Sequence, residues 1–179
     1  MIIKVLEKTE GCMPEILENG DWIDLRLAED VRLNCPKACK LHRRKDKEKE
    51  GNMEERIRDV LFDSALVRLG VAMALPKGME AYILPRSSTF KKYGLLQTNS
   101  KAVIDYSFRG NEDEWRLPVI ATRAVTIPKG TRIAQFRIAL SQKAGTWQKL
   151  RWLLSSGIEL VKVDSLGSEN RGGFGSTGK

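Results

Sequence analysis

Asp105 is the side chain in this sequence that is best placed to do acid–base chemistry. It follows the apolar pair Val103-Ile104 and precedes the aromatic residues Tyr106 and Phe108. The pattern predicts the arm of a β-hairpin that is bent by a turn. A carboxylate among such neighbours is costly to bury unless it is hydrogen-bonded or used, and one held there can orient a water molecule and accept its proton. The alternative is an aspartate that hydrogen-bonds to its own backbone in a turn, and taken alone the pattern favours that role.

A second group of residues is suited to binding an anion. Pro85-Arg86-Ser87-Ser88 precedes a segment that ends at Gly94, and the pattern predicts a helix of one to two turns with a serine at its N-cap. The free N–H groups at a helix N-terminus favour a phosphate, and the Arg86 guanidinium adds a charged fork. The alternative is that Ser87 only caps the helix and Arg86 is a surface residue.

The C-terminal end, residues 167–179, is rich in glycine and ends in Gly-Gly-Phe-Gly-Ser-Thr-Gly-Lys. Glycine lets backbone N–H groups approach phosphates closely. The composition is unsuited to a helix or a core strand, and it predicts a tail that is mobile when no ligand is bound.

Taken together, five short motifs follow one another in a fixed order: Ile23-Asp24-Leu25-Arg26, Pro85-Arg86-Ser87-Ser88, Val103-Ile104-Asp105, Gly130-Thr131-Arg132-Ile133-Ala134-Gln135, and Gly172-Gly173-Phe174-Gly175-Ser176-Thr177-Gly178. In these motifs the chain resembles the trimeric dUTP diphosphatases (dUTPases). The resemblance implies an all-β, jelly-roll-like β-barrel that hydrolyses dUTP to dUMP and pyrophosphate. It also implies a homotrimer with active sites at subunit interfaces and a C-terminal arm that crosses to a neighbour's site.

The resemblance assigns roles to individual residues. Asp105 would activate the water that attacks the α-phosphate. Asp24 would be tied to the metal-water shell or to neighbouring phosphate ligands, or it would form a structural salt bridge. Mg²⁺ would be held by the triphosphate and water, so no protein metal ligand is named. The residues expected to bind substrate are Arg86, Ser87, Ser88 and Gln135 at the phosphates, Asn99, Ala102, Val103 and Ile104 at uracil, Phe108 under the deoxyribose, Arg171 and Ser176 at the γ-phosphate, and Phe174 with Gly175 in the lid.

The chain departs from the family pattern at three of these positions. Ala102 replaces a glycine, Phe108 replaces a tyrosine, and Arg171 lies directly beside the Gly-Gly pair instead of farther ahead of it. One methyl group is tolerated at position 102 if φ is negative there. The Phe108 ring keeps the face that would exclude a 2′-hydroxyl.

Two alternatives to a dUTPase remain. A dCTP deaminase relative needs a glutamate on the strand after the Asp105 segment, and the predicted strand 115–122 has no carboxylate. A regulatory nucleotide-binding protein on the same scaffold is suggested by the charged insertion at about 36–62. Turnover of dUTP separates the enzyme from this binding protein.

Composition limits the function classes further. The chain has 179 residues, 41% hydrophobic and 30% charged, which is typical of one globular domain. It has no apolar run that would span a membrane and no signal peptide, so a cytoplasmic location is expected, with no membrane partner. The net charge of +8 suits a polyanion, and because the basic residues are scattered we expect a nucleotide and no nucleic acid. Three cysteines are expected to be reduced thiols; a zinc site at Cys35, Cys39 and His42 is less favoured.

The organisation expected from the pattern is a barrel domain at 1–166 followed by the flexible arm at 167–179. An amphipathic helix is expected at about 143–156, with Trp147, Leu150 and Leu154 packed on the barrel or on a neighbouring subunit. The 36–62 insertion is expected to be flexible at 42–52, with a short helix at 53–62. The acidic residues 111–114 are predicted to form an exposed hairpin tip. Strands are expected at 1–6, 22–27, 66–74, 80–84, 94–99, 115–122, 131–140 and 158–163, those at 66–74 and 80–84 forming a hairpin.

Overall fold

The computed structural model describes residues 1–44, 55–155 and 157–173, and strands dominate these ranges. Two short helices are present in them, α1 (Thr89–Tyr93) and α2 (Thr146–Leu153). The strands are β1 (Ile2–Glu7), β2 (Glu15–Ile16), β3 (Ile23–Arg26), β4 (Val31–Leu33), β5 (Lys37–Arg44), β6 (Glu55–Leu61), β7 (Ser64–Arg68), β8 (Val71–Ala74), β9 (Met79–Pro85), β10 (Leu95–Gln97), β11 (Ala102–Ile104), β12 (Arg116–Ala121), β13 (Val125–Ile127), β14 (Arg132–Leu140) and β15 (Glu159–Lys162). The predicted all-β class is confirmed. Within the described ranges, neither helix has the length and apolar character needed to cross a lipid bilayer.

A five-stranded sheet in the order β11-β9-β14-β3-β2 carries most of the candidate site residues. Its pairs are all antiparallel. β9 is central to the positioning of the site because it pairs with β11 on one side and with β14 on the other.

The remaining strands form smaller sheets around the same core. They are ordered β15-β1-β8, β10-β12-β7, β13-β4 and β5-β6. In the first of these, β15 lies parallel to β1, with Glu159 beside Ile2, so the first and the last of the described strands lie in one sheet.

The core is built from strands whose inward residues alternate with exposed or half-buried ones. β9 and β12 both show this alternation, as expected for strands with one face against the core. Trp115 and Phe136 are fully buried, and their rings meet edge to face with centroids 5.0 Å apart. Burying side chains of this size stabilises the fold by about 1.5–3 kcal/mol each.

The predicted hairpin between 66–74 and 80–84 is wrong. Gly70 (φ +68°) divides the first segment into β7 and β8, and a Cβ there would lie 2.7 Å from the Cys12 side chain. β8 then pairs with β1, whereas β9 pairs with β14. The turn before Met79 forms as predicted, with the Met79 N–H donating to the Pro76 carbonyl, but it connects two different sheets.

The predicted helix at 53–62 is also wrong, because Glu55–Leu61 forms β6 and pairs antiparallel with β5. Val60 and Leu61, which were to share an apolar helix face, are 50% and 65% exposed. A helix there would have no core to pack against, and pairing with β5 satisfies the backbone instead. Most of the segment predicted to be flexible, 42–52, lies outside the described residues.

The predicted helix at 143–156 forms as α2, but its apolar stripe does not pack on the barrel. Trp147, Leu150 and Leu154 are 82%, 43% and 74% exposed. Trp152, on the opposite side of the helix from Leu150, packs against the core instead. The hydrophobic core therefore contacts α2 through Trp152 and not through the predicted stripe.

Candidate active site

Asp105 follows β11 and is held by a turn of its own loop. Its Oδ1 accepts the Ser107 N–H at 2.8 Å and the Ser107 hydroxyl at 2.5 Å, and its Oδ2 accepts Arg171 NH1 at 2.7 Å. Partial burial opposes ionisation, but the hydrogen bonds from Ser107 and the ion pair with Arg171 outweigh it and lower the pKa of Asp105. The carboxylate is therefore ionised and ready to accept a proton at neutral pH.

The environment of Asp105 differs from the sequence prediction in two respects. The side chain is 47% exposed in the described chain, so it is not shielded from water as its apolar neighbours suggest. β11 pairs with β9, while β10 pairs with β12, so the segment is an edge strand and not one arm of a hairpin. The predicted turn is confirmed, because Asp105 Oδ1 accepts the Ser107 N–H. Asp105 can still act as a base, because its other oxygen, Oδ2, is not used by the turn and contacts Arg171 instead.

A cleft of about 490 Å³ opens beside Asp105. Lys77, Lys143 and Arg171 line it together with Asp105 and Glu80. The two lysines were missed by the sequence analysis, because they lie in loops far from any motif. Their charge suits an anionic ligand.

The residues expected around uracil lie on β11 and in the loop before it. Ala102 and Ile104 are buried, whereas Val103 is 51% exposed, as strand alternation requires. Asn99 is exposed, and its Oδ1 accepts the Gln97 side-chain amide at 2.7 Å. Phe108 is only 8% exposed, and Gly173 lies directly on its ring, since a Cβ on that glycine would be 2.8 Å from Phe108 Cε2.

The residues expected at the phosphates form a second cluster at the far end of β9. Arg86 Nε lies 3.0 Å from Asp24 Oδ1, and Arg132 NH1 lies 3.2 Å from Asp24 Oδ2. Asp24 is 2% exposed, so this carboxylate fixes both guanidinium groups from beneath. Gln135 lies beside Asp24 on β3 and beside Leu84 on β9.

Helix α1 begins in this cluster as predicted and ends at Gly94 in the left-handed conformation (φ +67°). Ser88 is its N-cap residue but makes no side-chain capping hydrogen bond. Thr89 anchors the helix instead, because its hydroxyl donates to the Ile133 carbonyl at 2.7 Å. The Ser88 hydroxyl is not used for capping, which leaves it suited to a ligand.

One chain does not bring the two clusters together. Ile104 lies beside Ala81 near the start of β9, so Asp105 is near that end, whereas Arg86 follows Pro85 at the other end. The extended chain from Ala81 to Arg86 spans about 17 Å. Within one chain, Asp105 and the residues predicted to bind the phosphates therefore lie at opposite ends of β9.

The acidic segment 111–114 is not the exposed tip that the sequence predicts. Asp113 and Glu114 are 1% and 4% exposed. Glu114 accepts Arg68 Nε at 2.9 Å and the Gly70 N–H at 3.2 Å. Asp113 accepts backbone N–H groups from Arg171 and Gly172. These carboxylates were predicted as exposed because the sequence gives no sign of their partners, which lie about 45 to 60 residues away.

The remaining predicted contacts of the arm lie beyond the part of the chain that the structure describes. Arg171 is within it and contacts Asp105. Phe174, Gly175 and Ser176 are outside the described residues.

Comparison with known proteins gives one consistent family. A protein-family model described as dUTPase matches residues 56–146. The chain is 42% identical over 176 residues to the SPbeta prophage-derived deoxyuridine 5'-triphosphate nucleotidohydrolase YosS of Bacillus subtilis, covering 98% of this chain and 96% of that protein. Among solved structures it is similar to the dUTPase of Streptococcus mutans, with a TM-score of 0.59 and 19% identity over 81% of this chain and 99% of that one.

A second similar structure is that of a mutant dUTPase from phage phi11 of Staphylococcus aureus, described for the coordination of a structural Mg(II) ion. It has a TM-score of 0.55 and 16% identity over 80% of this chain and 93% of that one. At these identities the two structures establish the fold, and the family rests on the sequence matches.

Proposed function

Since this chain belongs to the dUTPase family, we propose that it is a hydrolase that converts dUTP to dUMP and pyrophosphate. The similarity to YosS, a deoxyuridine 5'-triphosphate nucleotidohydrolase, extends over nearly the whole of both chains. The observation that carries the proposal is Asp105, an ionised and half-exposed carboxylate that borders a cleft lined with basic residues.

In the proposed reaction Asp105 is the general base. Its carboxylate takes a proton from a water molecule whose oxygen bonds to the α-phosphorus. The bond from the α-phosphorus to the oxygen that bridges to the β-phosphorus breaks, and pyrophosphate leaves with that oxygen. In phosphoryl transfers of this kind, positioning and electrostatic stabilisation supply most of the catalysis.

The phosphates are assigned to the cluster at the far end of β9. Arg86 presents a guanidinium whose other side is fixed by buried Asp24, so little rotamer freedom is lost when it binds a phosphate. Ser87 and Ser88 precede α1, and Gln135 lies on the neighbouring strand. These groups would stabilise the charge that develops on the phosphate oxygens.

Specificity for the base and sugar is assigned to the segment around β11. The backbone of Ala102, Val103 and Ile104, with the Asn99 side chain, would pair with the edge of uracil. Cytosine carries an amine where uracil carries an oxygen, which would leave buried polar groups unpaired, and such mismatches discriminate strongly. Phe108 would lie under the deoxyribose and exclude a 2′-hydroxyl.

Mg²⁺ is proposed to arrive with the triphosphate. Within the described residues, no three histidine, cysteine or acidic side chains meet in a group that would hold a metal ion. Oxygen ligands and water are what Mg²⁺ prefers, and the phosphate oxygens of the bound nucleotide would supply them. The ion would neutralise the triphosphate, while Asp105, Arg86 and Gln135 perform the steps given above.

A homotrimer with sites between chains is proposed because of the separation along β9. Asp105 of one chain would meet Arg86 of another, since Ala81, which lies beside the end of β11, is already about 17 Å from Arg86 within one chain. Closed cyclic symmetry would repeat this contact once for each chain.

Co-expressed Asp105→Asn and Arg86→Ala chains should therefore recover activity that neither variant has alone. If each site takes Asp105 from one chain and Arg86 from another, random assembly leaves about one quarter of the sites intact. Pyrophosphate release by the purified mixed assembly measures this. Activity no greater than the sum of the two pure variants, with both folded, would contradict the shared site.

A panel of dUTP, dCTP, dTTP and UTP with product identification tests the function itself. We expect dUTP to give dUMP and pyrophosphate, with at least about a hundredfold lower kcat/KM for dCTP and UTP. Ammonia release from dCTP would favour the deaminase alternative, although β12 carries no carboxylate. Binding of dUTP without turnover would favour the regulatory alternative. The cytoplasmic location stays a prediction from the sequence.

A further inference from the structure

Gln97, the last residue of β10, connects the Asn99 side chain to the sheet that carries β11. Its Nε2 donates to the Ile83 carbonyl at 3.3 Å and to Asn99 Oδ1 at 2.7 Å. Ile83 lies on β9 directly opposite Ala102, the first residue of β11. The Gln97 amide therefore fastens the Asn99 side chain beside the start of the strand to which the base is assigned.

The Ile83 carbonyl determines which way round the Gln97 amide lies. A backbone carbonyl only accepts hydrogen bonds, so the part of the glutamine amide that faces it must be the NH₂ group. The second hydrogen of that NH₂ group is donated to Asn99. If the amide were turned over, its oxygen would face the Ile83 oxygen, and two acceptors would meet.

The orientation of Gln97 in turn fixes the orientation of the Asn99 amide. Asn99 presents Oδ1 to the Gln97 NH₂ group, so its own NH₂ group points away from Gln97. Asn99 is exposed, and its Nδ2 bonds to none of the described residues. Asn99 therefore offers a hydrogen-bond donor to a ligand at this position.

This arrangement leaves one polar atom of Gln97 unsatisfied. Its Oε1 is buried and has no hydrogen-bond partner among the described residues. A buried acceptor without a partner is destabilising. A leucine, which β10 carries at both of its other positions, would avoid that cost. The glutamine therefore needs an explanation other than stability.

The other groups assigned to the base cannot change their polarity. Within the described residues, β11 is the outermost strand of its sheet and pairs with β9 alone, so N–H and C=O groups along its other edge are open to a ligand. Backbone groups of a strand stay donors or acceptors whatever binds. The Asn99 amide is different, because a rotation about its last bond exchanges the donor and the acceptor.

We propose that Gln97 is a positioning residue that sets base specificity by fixing the Asn99 amide as a hydrogen-bond donor. That donor faces O4 of uracil, which is an acceptor. Cytosine carries an amine in the same place, so two donors would meet and the Asn99 NH₂ group would lose its partner. The proposal rests on the proposed function, which assigns the base to β11 and Asn99.

The first test compares Gln97→Leu with Thr98→Val in the full chain. Leucine is similar in size but donates no hydrogen bond, so the Asn99 amide can turn over and accept from cytosine. We expect the ratio of kcat/KM for dUTP to kcat/KM for dCTP, measured by pyrophosphate release, to fall at least about tenfold. Thr98 is the matched control, since it is exposed and its side chain bonds to none of the described residues, and its variant should keep the wild-type ratio.

The ratio separates positioning from a structural role. If Gln97 only supported the fold, its loss would lower kcat/KM for both nucleotides alike. An equal loss, or a fall in the ratio of less than about tenfold, would overturn the proposal. If Gln97→Leu does not fold, Gln97→Met also lacks the donor and is judged by the same ratio.

The second test asks whether Gln97 acts through Asn99, by a double-mutant cycle. Asn99→Ala removes the amide that Gln97 orients and should itself lower the ratio. Adding Gln97→Leu to Asn99→Ala should then change the ratio less than about twofold, because the two residues act as one unit. A larger further fall in the double variant would mean that Gln97 acts by another route, and would overturn the proposal.

Binding measurements separate this proposal from the proposed function. Calorimetric titration with non-hydrolysable dUTP and dCTP analogues gives the ratio of the two affinities without turnover. Failure of the wild-type chain to hydrolyse dUTP would reject the proposed function, whereas the change in the affinity ratio in Gln97→Leu still decides the role of Gln97. Hydrolysis of dUTP by the wild-type chain with an unchanged ratio in Gln97→Leu would overturn the role of Gln97 alone.

Discussion

Replacing Asp105 by asparagine is expected to lower kcat for dUTP hydrolysis by about 10²- to 10⁴-fold, the contribution of a well-placed general base. Asparagine keeps the size of the side chain and still accepts the Ser107 N–H through its amide oxygen. It cannot take a proton from water at neutral pH. The loss should therefore fall on kcat, while the affinity for dUTP changes much less.

The measurement needs both turnover and binding. Pyrophosphate release gives kcat, and calorimetric titration with a non-hydrolysable dUTP analogue gives the affinity. Asp21→Asn is a matched control, because the Asp21 side chain is 79% exposed and lies outside the predicted site. If Asp105→Asn keeps more than about a tenth of wild-type kcat, Asp105 is not the base.

The pH profile tests the same assignment independently. Partial burial raises the pKa of Asp105, but Ser107 and Arg171 together lower it below its ordinary value. A base with a lowered pKa stays ionised as the pH falls, so kcat/KM should persist to lower pH than with an ordinary aspartate. Ser107→Ala removes the hydroxyl donor, raises that pKa and should move the acidic limb to higher pH. Ionisation of dUTP itself is common to both enzymes and cancels in the comparison.

The strands and turns that the sequence predicted correctly depend on local signals. β12 and β14 show the alternation or apolar character expected of buried strands. Gly94 and Gly130 both adopt positive φ angles where a helix or a turn ends, as glycine permits without strain. Such signals involve residues that are close in sequence, so they can be recognised from the sequence alone.

The pairing of strands could not be predicted in the same way. β8 and β9 are joined by a recognisable turn, yet each pairs with a strand more than 45 residues away in sequence. Partner choice depends on which apolar faces meet in the core, and that is a property of the whole chain. The distance between Asp105 and Arg86 depends on how β11 pairs with β9, so the motifs named both residues without indicating their separation.

The sequence also did not predict which polar side chains are buried. Asp113 and Glu114 were expected to be exposed, because charged residues in a row are usually solvated. They are buried because distant N–H and guanidinium groups satisfy them. In α2 the error runs the other way, because apolar residues expected to be buried are exposed. The helical pattern predicts the helix but not which of its sides packs on the core.

Replacing the buried Asp24 is expected to destabilise the fold more than any other single substitution in the cluster at the far end of β9. Asp24→Ala removes the carboxylate that lies 3.0 Å from Arg86 Nε and 3.2 Å from Arg132 NH1. Removing one partner of a buried ion pair costs about 3–5 kcal/mol. Both arginines keep some contact with solvent, so we expect about 3 kcal/mol, together with a loss of phosphate binding because Arg86 is no longer oriented.

Glu15→Gln is the matched control for this prediction, because it tests the same network at its exposed end. Glu15 is 42% exposed and pairs with Arg26 at 2.6 Å and with Arg132 at 3.6 Å. Pairs with this exposure are worth about 0–1 kcal/mol, so the two variants should differ by about 2 kcal/mol or more. Urea unfolding at one fixed protein concentration measures both, since the stability of the proposed trimer would depend on concentration. Equal losses in the two variants would mean that burial of Asp24 adds nothing, and that Arg86 is positioned by some other contact.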